Sequence, residues 1–488
     1  MTINDGTFTA ETPLIIQGGM GAGVSNWMLA RAVSLRGQLG VVSGTVIDTI
    51  FVRRLQDGDP GGHLRRAMAH FPCPAIAESA LHRYFHPEGR PAGTPYKALP
   101  TYKQVVSAAR QQITMLASFV EVWLAKEGHD NPVGINLLTK VQMPNLPTLY
   151  GAMLAGVDVV LMGAGIPREI PGALDALAIH QPAVIRFDIE GVGGDAEYLT
   201  FDPGEHGAML ATLKRPKFYP IVAATSLATT LARKANGRVD GFVIEGPTAG
   251  GHNAPPRGDL KLSDKGEPVY GERDVVDLAK IRELGLPFWL AGGQGSPAGL
   301  RAALDAGAAG IQVGTLFAFS DESGVIPGLK EEVLAGVNRG DVNVRTDPRA
   351  SPTGYPFKLV EMAAGDYQRP TRERICDLGY LRVAYRKDAG GLGYRCPAEP
   401  VDAYVAKGGT VAETEGRRCL CNALLANIGH GQVRPHWDDE LPLLTSGDDL
   451  MAMAPFLRGR TSYSAVEVLD YLLSGVTALA ASPPVAAV

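Results

Sequence analysis

The chain has 488 residues, 45% apolar and 20% charged, with 59 glycines and 35 prolines spread along its length. That composition can bury a large core and excludes a disordered or low-complexity chain. A formal charge of −5 leaves no basic field for a nucleic-acid backbone, and no apolar run approaches the roughly 20 residues of a membrane helix, so neither partner is expected.

Residues 1–13 are polar and lack a charged-then-apolar leader pattern. The first strand is predicted over 14–17, followed by a glycine loop and a helix over 26–36. A second strand follows over 40–43. The stretch 48–130 is too long for a simple crossover. It reads as a helical insertion over one face of the fold, with helical spacing of apolar residues clearest over 102–126. Further short β-branched runs fall at 133–137, 157–162, 183–187, 219–223, 241–244, 287–291 and 309–313, with Ala- and Leu-rich helical stretches between most of them.

Alternating strands and helices specify an α/β fold, here a (β/α)8 TIM barrel with helices outside a parallel ring. Nine strand candidates are one too many for eight positions. Either 183–187 is a hairpin or insert, or an N-terminal strand lies outside the ring. The rhythm changes after about residue 323. The chain therefore divides into a barrel over 1–335 and a mostly helical accessory region over 336–488, with a final helix over 464–473, plausibly packed on the barrel mouth.

Three groups near strand ends could do chemistry. Gln17-Gly18-Gly19-Met20-Gly21-Ala22-Gly23 follows the first strand, where glycines let backbone approach a flat ligand. It fits a dinucleotide fingerprint only loosely, because no acidic residue ends the next strand at the right distance. Gly292-Gly293-Gln294-Gly295 and Gln312-Val313-Gly314-Thr315 end two successive strands, and barrels bind phosphate at such a pair. Gly246-Pro247-Thr248-Ala249-Gly250-Gly251-His252 follows the strand at 241–244. It puts His252 where a general base belongs.

Taken in this order, and with Gly134-Ile135-Asn136, these motifs resemble the nitronate monooxygenase family, formerly the 2-nitropropane dioxygenases, which is related to FMN-dependent enoyl reductases. The resemblance covers roughly residues 13–323. It implies a non-covalent FMN with Gly18, Gly19 and Met20 against the ring, Asn136 and Glu245 at its polar side, and Gly250 and Gly251 beside it in the histidine loop. It further implies that Gly292, Gly293, Gln312, Val313, Gly314 and Thr315 hold the phosphate, and that His252 acts as base on a neutral nitroalkane. The family usually has Gln at the position of Glu245 and Glu at that of Thr248.

The implied reaction converts a nitronate and O2 to a carbonyl compound and nitrite. One alternative is NAD(P)H-dependent reduction of an enoyl thioester, which His252 would serve equally well. Another, of a different class, is a non-catalytic flavin-binding partner subunit. The expected partners are a small-molecule substrate, with O2 or NAD(P)H as co-substrate, and a second copy of the chain in a homo-oligomer.

The five cysteines, Cys73, Cys376, Cys396, Cys419 and Cys421, are few and odd in number. They fit a cytoplasmic setting rather than a disulfide framework. Cys396, Cys419 and Cys421, with Cys376, His430 and His436 nearby in sequence, form no paired Cys-x2–4-Cys knuckle. They read as buried thiols, with no metal expected. Arg417 and Arg418 read as surface or loop-anchoring groups, and Tyr84-Phe85, flanked by His82 and His86, as packing.

Overall fold

The computed structural model describes residues 12–191, 195–207, 211–362, 373–434 and 440–480, with side chains as far as residue 476. His436 lies outside the described residues.

Eight parallel strands form the central sheet: β1 (Ile15–Gln17), β2 (Gly40–Ser43), β3 (Val133–Leu138), β4 (Val159–Gly163), β5 (Lys217–Val222), β6 (Phe242–Glu245), β7 (Phe288–Ala291) and β8 (Gly310–Val313). The hydrogen-bonded order is β1-β8-β7-β6-β5-β4-β3-β2. Leu39 closes the ring from β2 to β1, because Gln17 N donates to Leu39 O at 2.9 Å and Leu39 N to Ile15 O at 3.1 Å. The expected eight-stranded barrel is therefore present, without an open sheet edge.

Side chains alternate along each strand. Ile16, Leu39, Val41, Val159, Leu161, Tyr219, Val243 and Trp289 form a small interior cluster separate from the main core. Trp289 is fully buried and Nε1 donates to Pro13 O at 2.7 Å. This dry plug leaves the C-terminal ends of the strands as the place for a ligand.

The surplus strand is Ala183–Phe187, which pairs antiparallel with Glu197–Phe201 outside the ring. Its alternate residues are buried and exposed. Such a half-buried strand suits a surface hairpin, whereas β2 and β4 are buried at every position, as a sheet covered on both faces requires.

Part of the predicted insertion belongs to the barrel itself. The helices Ile47–Gln56, His63–Met68 and Pro74–Tyr84 are additional, but Ala108–Lys126 packs against both Trp27–Ser34 and Asn145–Leu154. It is thus the crossover helix between β2 and β3. The approach to Asn145–Leu154 is close: a Cβ on Gly151 would stand 2.0 Å from Met115 O.

The C-terminal region needs two corrections. It is not mostly helical, because Val342–Asp347 pairs with Phe357–Met362, and Val383–Arg386 pairs with Leu392–Arg395. Nor is all of it accessory. Its last helix, Ala465–Ala480, packs on Trp27–Ser34 and Pro297–Asp305. It takes the outer position that a full helix after β8 would occupy, since that strand is followed only by the single turn Thr315–Ala318. Arg301 Nη2 to Gly475 O and Arg36 Nη2 to Asp470 Oδ1, both 2.5 Å, tie it in place.

A buried polar knot also joins the extra helices to the C-terminal region. Asp48 pairs with Arg110 at 2.7 Å and accepts from Tyr380 Oη, while Tyr380 Oη also meets Thr49 Oγ1 at 2.7 Å. Among the described residues no helix is long and apolar enough to cross a membrane.

Candidate functional site at the barrel mouth

Two adjoining chambers open at the C-terminal ends of the strands, of about 220 and 210 Å3. They share a wall made by Ala164, Ile221, Glu245 and His252. The first chamber is lined by the glycine loops after β1, β6, β7 and β8. The second runs past Ile166, Leu227, Pro247 and Pro255 to Arg257, Tyr270 and Tyr355.

The first chamber brings together Gly18, Gly19, Met20, Asn136, Glu245, Gly250, Gly251, His252, Gly292, Gly293, Gln312, Gly314 and Thr315. Val313 is the exception. On β8 it is Gln312 that faces the mouth, so the next side chain turns outward, and Val313 is buried in the main core. Only its backbone reaches the loop, where its carbonyl accepts from Gly18 N at 2.9 Å.

Missing side chains shape the floor. Gly292 has φ +87°, and a Cβ there would lie 3.0 Å from Ala249 N. At Gly250 a Cβ would meet Ser446 C at 2.8 Å. The loops after β6 and β7 therefore close to backbone contact only as glycine. Gly314 differs. Its φ is −106° and the nearest atom to a built Cβ is Met20 Sδ at 3.5 Å, so alanine fits.

Two acceptors in this chamber lack partners. Asn136 Nδ2 donates to Gly19 O at 3.1 Å, which leaves its Oδ1 buried and unbonded, and Gln312 Oε1 is in the same state. A buried unpaired acceptor costs about 1–3 kcal/mol, so both call for a ligand N–H or O–H.

Thr315 is less available than its position suggests. Its Oγ1 donates to Asp449 Oδ1 at 2.6 Å and accepts from Gly447 N at 3.2 Å. The adjacent helix is a single turn, so an anion here would depend on loop N–H groups rather than a macrodipole.

The shared wall holds the two titratable groups that matter. Burial drives the His252 imidazole down to about 4, so it is neutral at pH 7. Its Nε2 meets Ser351 Oγ at 2.7 Å, and Ser351 Oγ meets Thr353 Oγ1 at 2.8 Å. Asn253 N to Pro356 O, 2.9 Å, and Lys358 N to Gly251 O, 3.0 Å, hold the histidine loop against the strand Phe357–Met362. Burial also drives the Glu245 carboxyl up to about 7. At and below neutrality much of it is the neutral acid, close in shape and charge to an amide.

Sequence reasoning missed the contribution of the C-terminal region. Phe357, Leu424, Asn427, Leu444, Thr445, Ser446, Gly447 and Asp449 all line the first chamber. Thr445 Oγ1 accepts from Gly251 N at 2.9 Å, and Thr248 O accepts from Asp448 N at 3.0 Å. Locally, Thr445-Ser446-Gly447-Asp448 reads only as a turn, and nothing in it signals docking on the barrel. Arg417 does anchor a loop: its Nη1 donates to Ser351 O at 2.6 Å.

Residues 196–345 match the family model described as nitronate monooxygenase. The chain is a relative of that family. It is 33% identical over 126 residues to a probable nitronate monooxygenase of Bacillus subtilis, and 32% identical over 127 residues to one of Staphylococcus haemolyticus. Each alignment covers 26% of this chain and 34% of the relative, so the chain spans about a third of the length of the curated nitronate monooxygenases it matches. Among solved structures, FabK from Thermotoga maritima is similar at 17% identity and a TM-score of 0.48, over 96% of this chain and 94% of that one.

Proposed function

We propose that this chain is an FMN-dependent oxidoreductase that converts nitronates, and nitroalkanes after deprotonation, to carbonyl compounds and nitrite with O2. The observation that carries the reading is the first chamber. It is floored by glycine backbone and edged by the unpaired acceptors Asn136 Oδ1 and Gln312 Oε1. A flat ring bearing an N–H, with a phosphate on a flexible arm, fits that donor and acceptor pattern.

In this reading the loop Gly18–Met20 lies against the ring, with Gly250 and Gly251 beside it. Asn136 and Gln312 accept from its polar edge, and loop N–H groups at Gly292, Gly293, Gly314 and Thr315 receive the phosphate. Val313 contributes backbone only. When bound, FMN supplies the redox chemistry.

The chain's own work is to position the substrate and move a proton. With its Nε2–H donating to Ser351 Oγ, the neutral His252 presents Nδ1 as acceptor for the proton of a nitroalkane carbon. Glu245, kept neutral by burial, stands where the family has Gln without adding a charge against an electron-rich ring.

The second chamber favours one further reading. It continues from His252 past apolar side chains to Arg257, a shape suited to an acyl chain ending in an anionic handle. Reduction of an enoyl thioester with NAD(P)H would use it, and anaerobic mixing separates the two reactions. The nitronate reading expects bleaching by a nitronate; the enoyl reading expects bleaching by NAD(P)H and recovery with an enoyl thioester.

The first test is the cofactor itself. The purified protein should be yellow and release FMN on denaturation. A colourless chain that cannot be reconstituted with FMN, or one that releases FAD, removes the basis of the proposal.

A further inference from the structure

Four of the five cysteines, Cys376, Cys396, Cys419 and Cys421, line one small cavity in the C-terminal region together with Pro352, Leu378 and Ala398. They converge from separate places in the chain. Cys396 follows the strand Leu392–Arg395, while Cys419 and Cys421 flank the first residue of the helix Leu420–Ala426. None is in a disulfide. The thiols of Cys376 and Cys396 hydrogen-bond to each other.

The surroundings are built for sulfur that carries negative charge. The Ala398 N–H points at Cys396 Sγ, and the Tyr380 and Leu381 N–H groups point at Cys421 Sγ. Asn422 Nδ2 donates to Cys419 Sγ at 3.6 Å. Arg382 acts on Cys376, and Arg374 and Arg417 act on Cys396. A neutral thiol is a weak acceptor and packs well among apolar groups alone, so donors and cations gathered on sulfur serve the thiolate, the metal-binding form.

We propose that Cys376, Cys396, Cys419 and Cys421 are the ligands of a thiophilic metal centre, a zinc ion or an iron–sulfur cluster, that staples the C-terminal region. Among the described residues no three His, Cys, Asp or Glu side chains already gather as a closed ion site. Capture therefore includes rotation of the thiols into the cavity they ring, with loss of their protons to solvent. The role is structural. Pro352 lines the same cavity, and Arg417, two residues before Cys419, holds the carbonyl of Ser351, the partner of His252. The centre thus anchors the segment that positions the histidine loop.

The test is metal and acid-labile sulfide analysis of the full chain, purified anaerobically without chelator. The expected result is about one zinc per chain, or about four irons with matching sulfide. The double variant Cys376→Ser/Cys419→Ser should lose that metal, and Cys73→Ser should keep it. Metal below about a tenth of an equivalent per chain in the unaltered protein would overturn the proposal, given that such sites bind tightly. Full retention in the double variant would overturn it too. The measurement on the unaltered chain needs no variant to fold.

Discussion

The hydroxyl of Thr315, at the end of β8, donates to the carboxylate of Asp449 at 2.6 Å across 134 positions of chain. It fastens the C-terminal loop to the strand end assigned to the phosphate. Asp449 also receives the Gly295 N–H, and burial raises its carboxyl above the usual range. An acid in that place supports the loops but opposes a phosphate once it ionises. Asp449→Asn keeps an acceptor for Thr315 and removes the charge, so it should bind FMN at least as tightly as the parent. Asp449→Ala strands the hydroxyl and should weaken FMN binding about 5–30-fold, the worth of 1–2 kcal/mol. Fluorescence titration of the apoprotein reads both. Weaker binding in both variants would show that the negative charge itself is needed.

Gly314 separates charge from shape. Its backbone accepts a Cβ, so Gly314→Ala should retain flavin. Gly314→Asp adds an anion beside the proposed phosphate. At an effective dielectric near 20 and about 5 Å, that repulsion is about 3 kcal/mol, or about 10²-fold in affinity. Flavin content and circular dichroism check the pair. Normal flavin in Gly314→Asp would move the phosphate to another loop.

His252 is neutral above about pH 4, the form a base requires. His252→Asn should leave FMN bound and slow turnover of a neutral nitroalkane by about 10²–10⁴-fold. Turnover of the preformed nitronate, whose proton has already gone, should fall much less. Steady-state rates on the two substrates supply the comparison. Equal losses would make His252 a positioning group.

Glu245 gives the pH dependence a sign. Its carboxyl, raised to about 7 by burial, is neutral on the acid side and negative on the alkaline side. The nitronate is an anion, so kcat/KM for it should fall as pH rises through about 7, by up to about 10²-fold for a charge within about 6 Å. Glu245→Gln is neutral throughout and should remove the descending limb. A limb of the same position and depth in that variant would assign it to another group.

The sequence by itself determined the barrel and most of the lining of its mouth. Strands such as Val133–Leu138 are short, apolar and closed by glycine or asparagine, and these are local signals. Because a parallel barrel collects its strand ends on one face, Asn136, Glu245, His252, Gly292 and Gln312 could be grouped without coordinates. Within a strand the period of two also separates Gln312 from Val313, which required only applying the alternation to β8.

Tertiary structure alone decided what closes the site. The partners of His252, Thr315 and Gly251 are Ser351, Asp449 and Thr445, on segments that read locally as turns. The last helix could not be assigned to the barrel by its apolar pattern, which says that it is buried but not against what. The convergence of Cys376, Cys396, Cys419 and Cys421 was equally hidden. The physical reason is the same in each case: hydrogen bonding and periodicity act between chain neighbours and leave a trace in spacing, whereas docking over a hundred positions depends on surface shape and charge that exist only once both surfaces have folded.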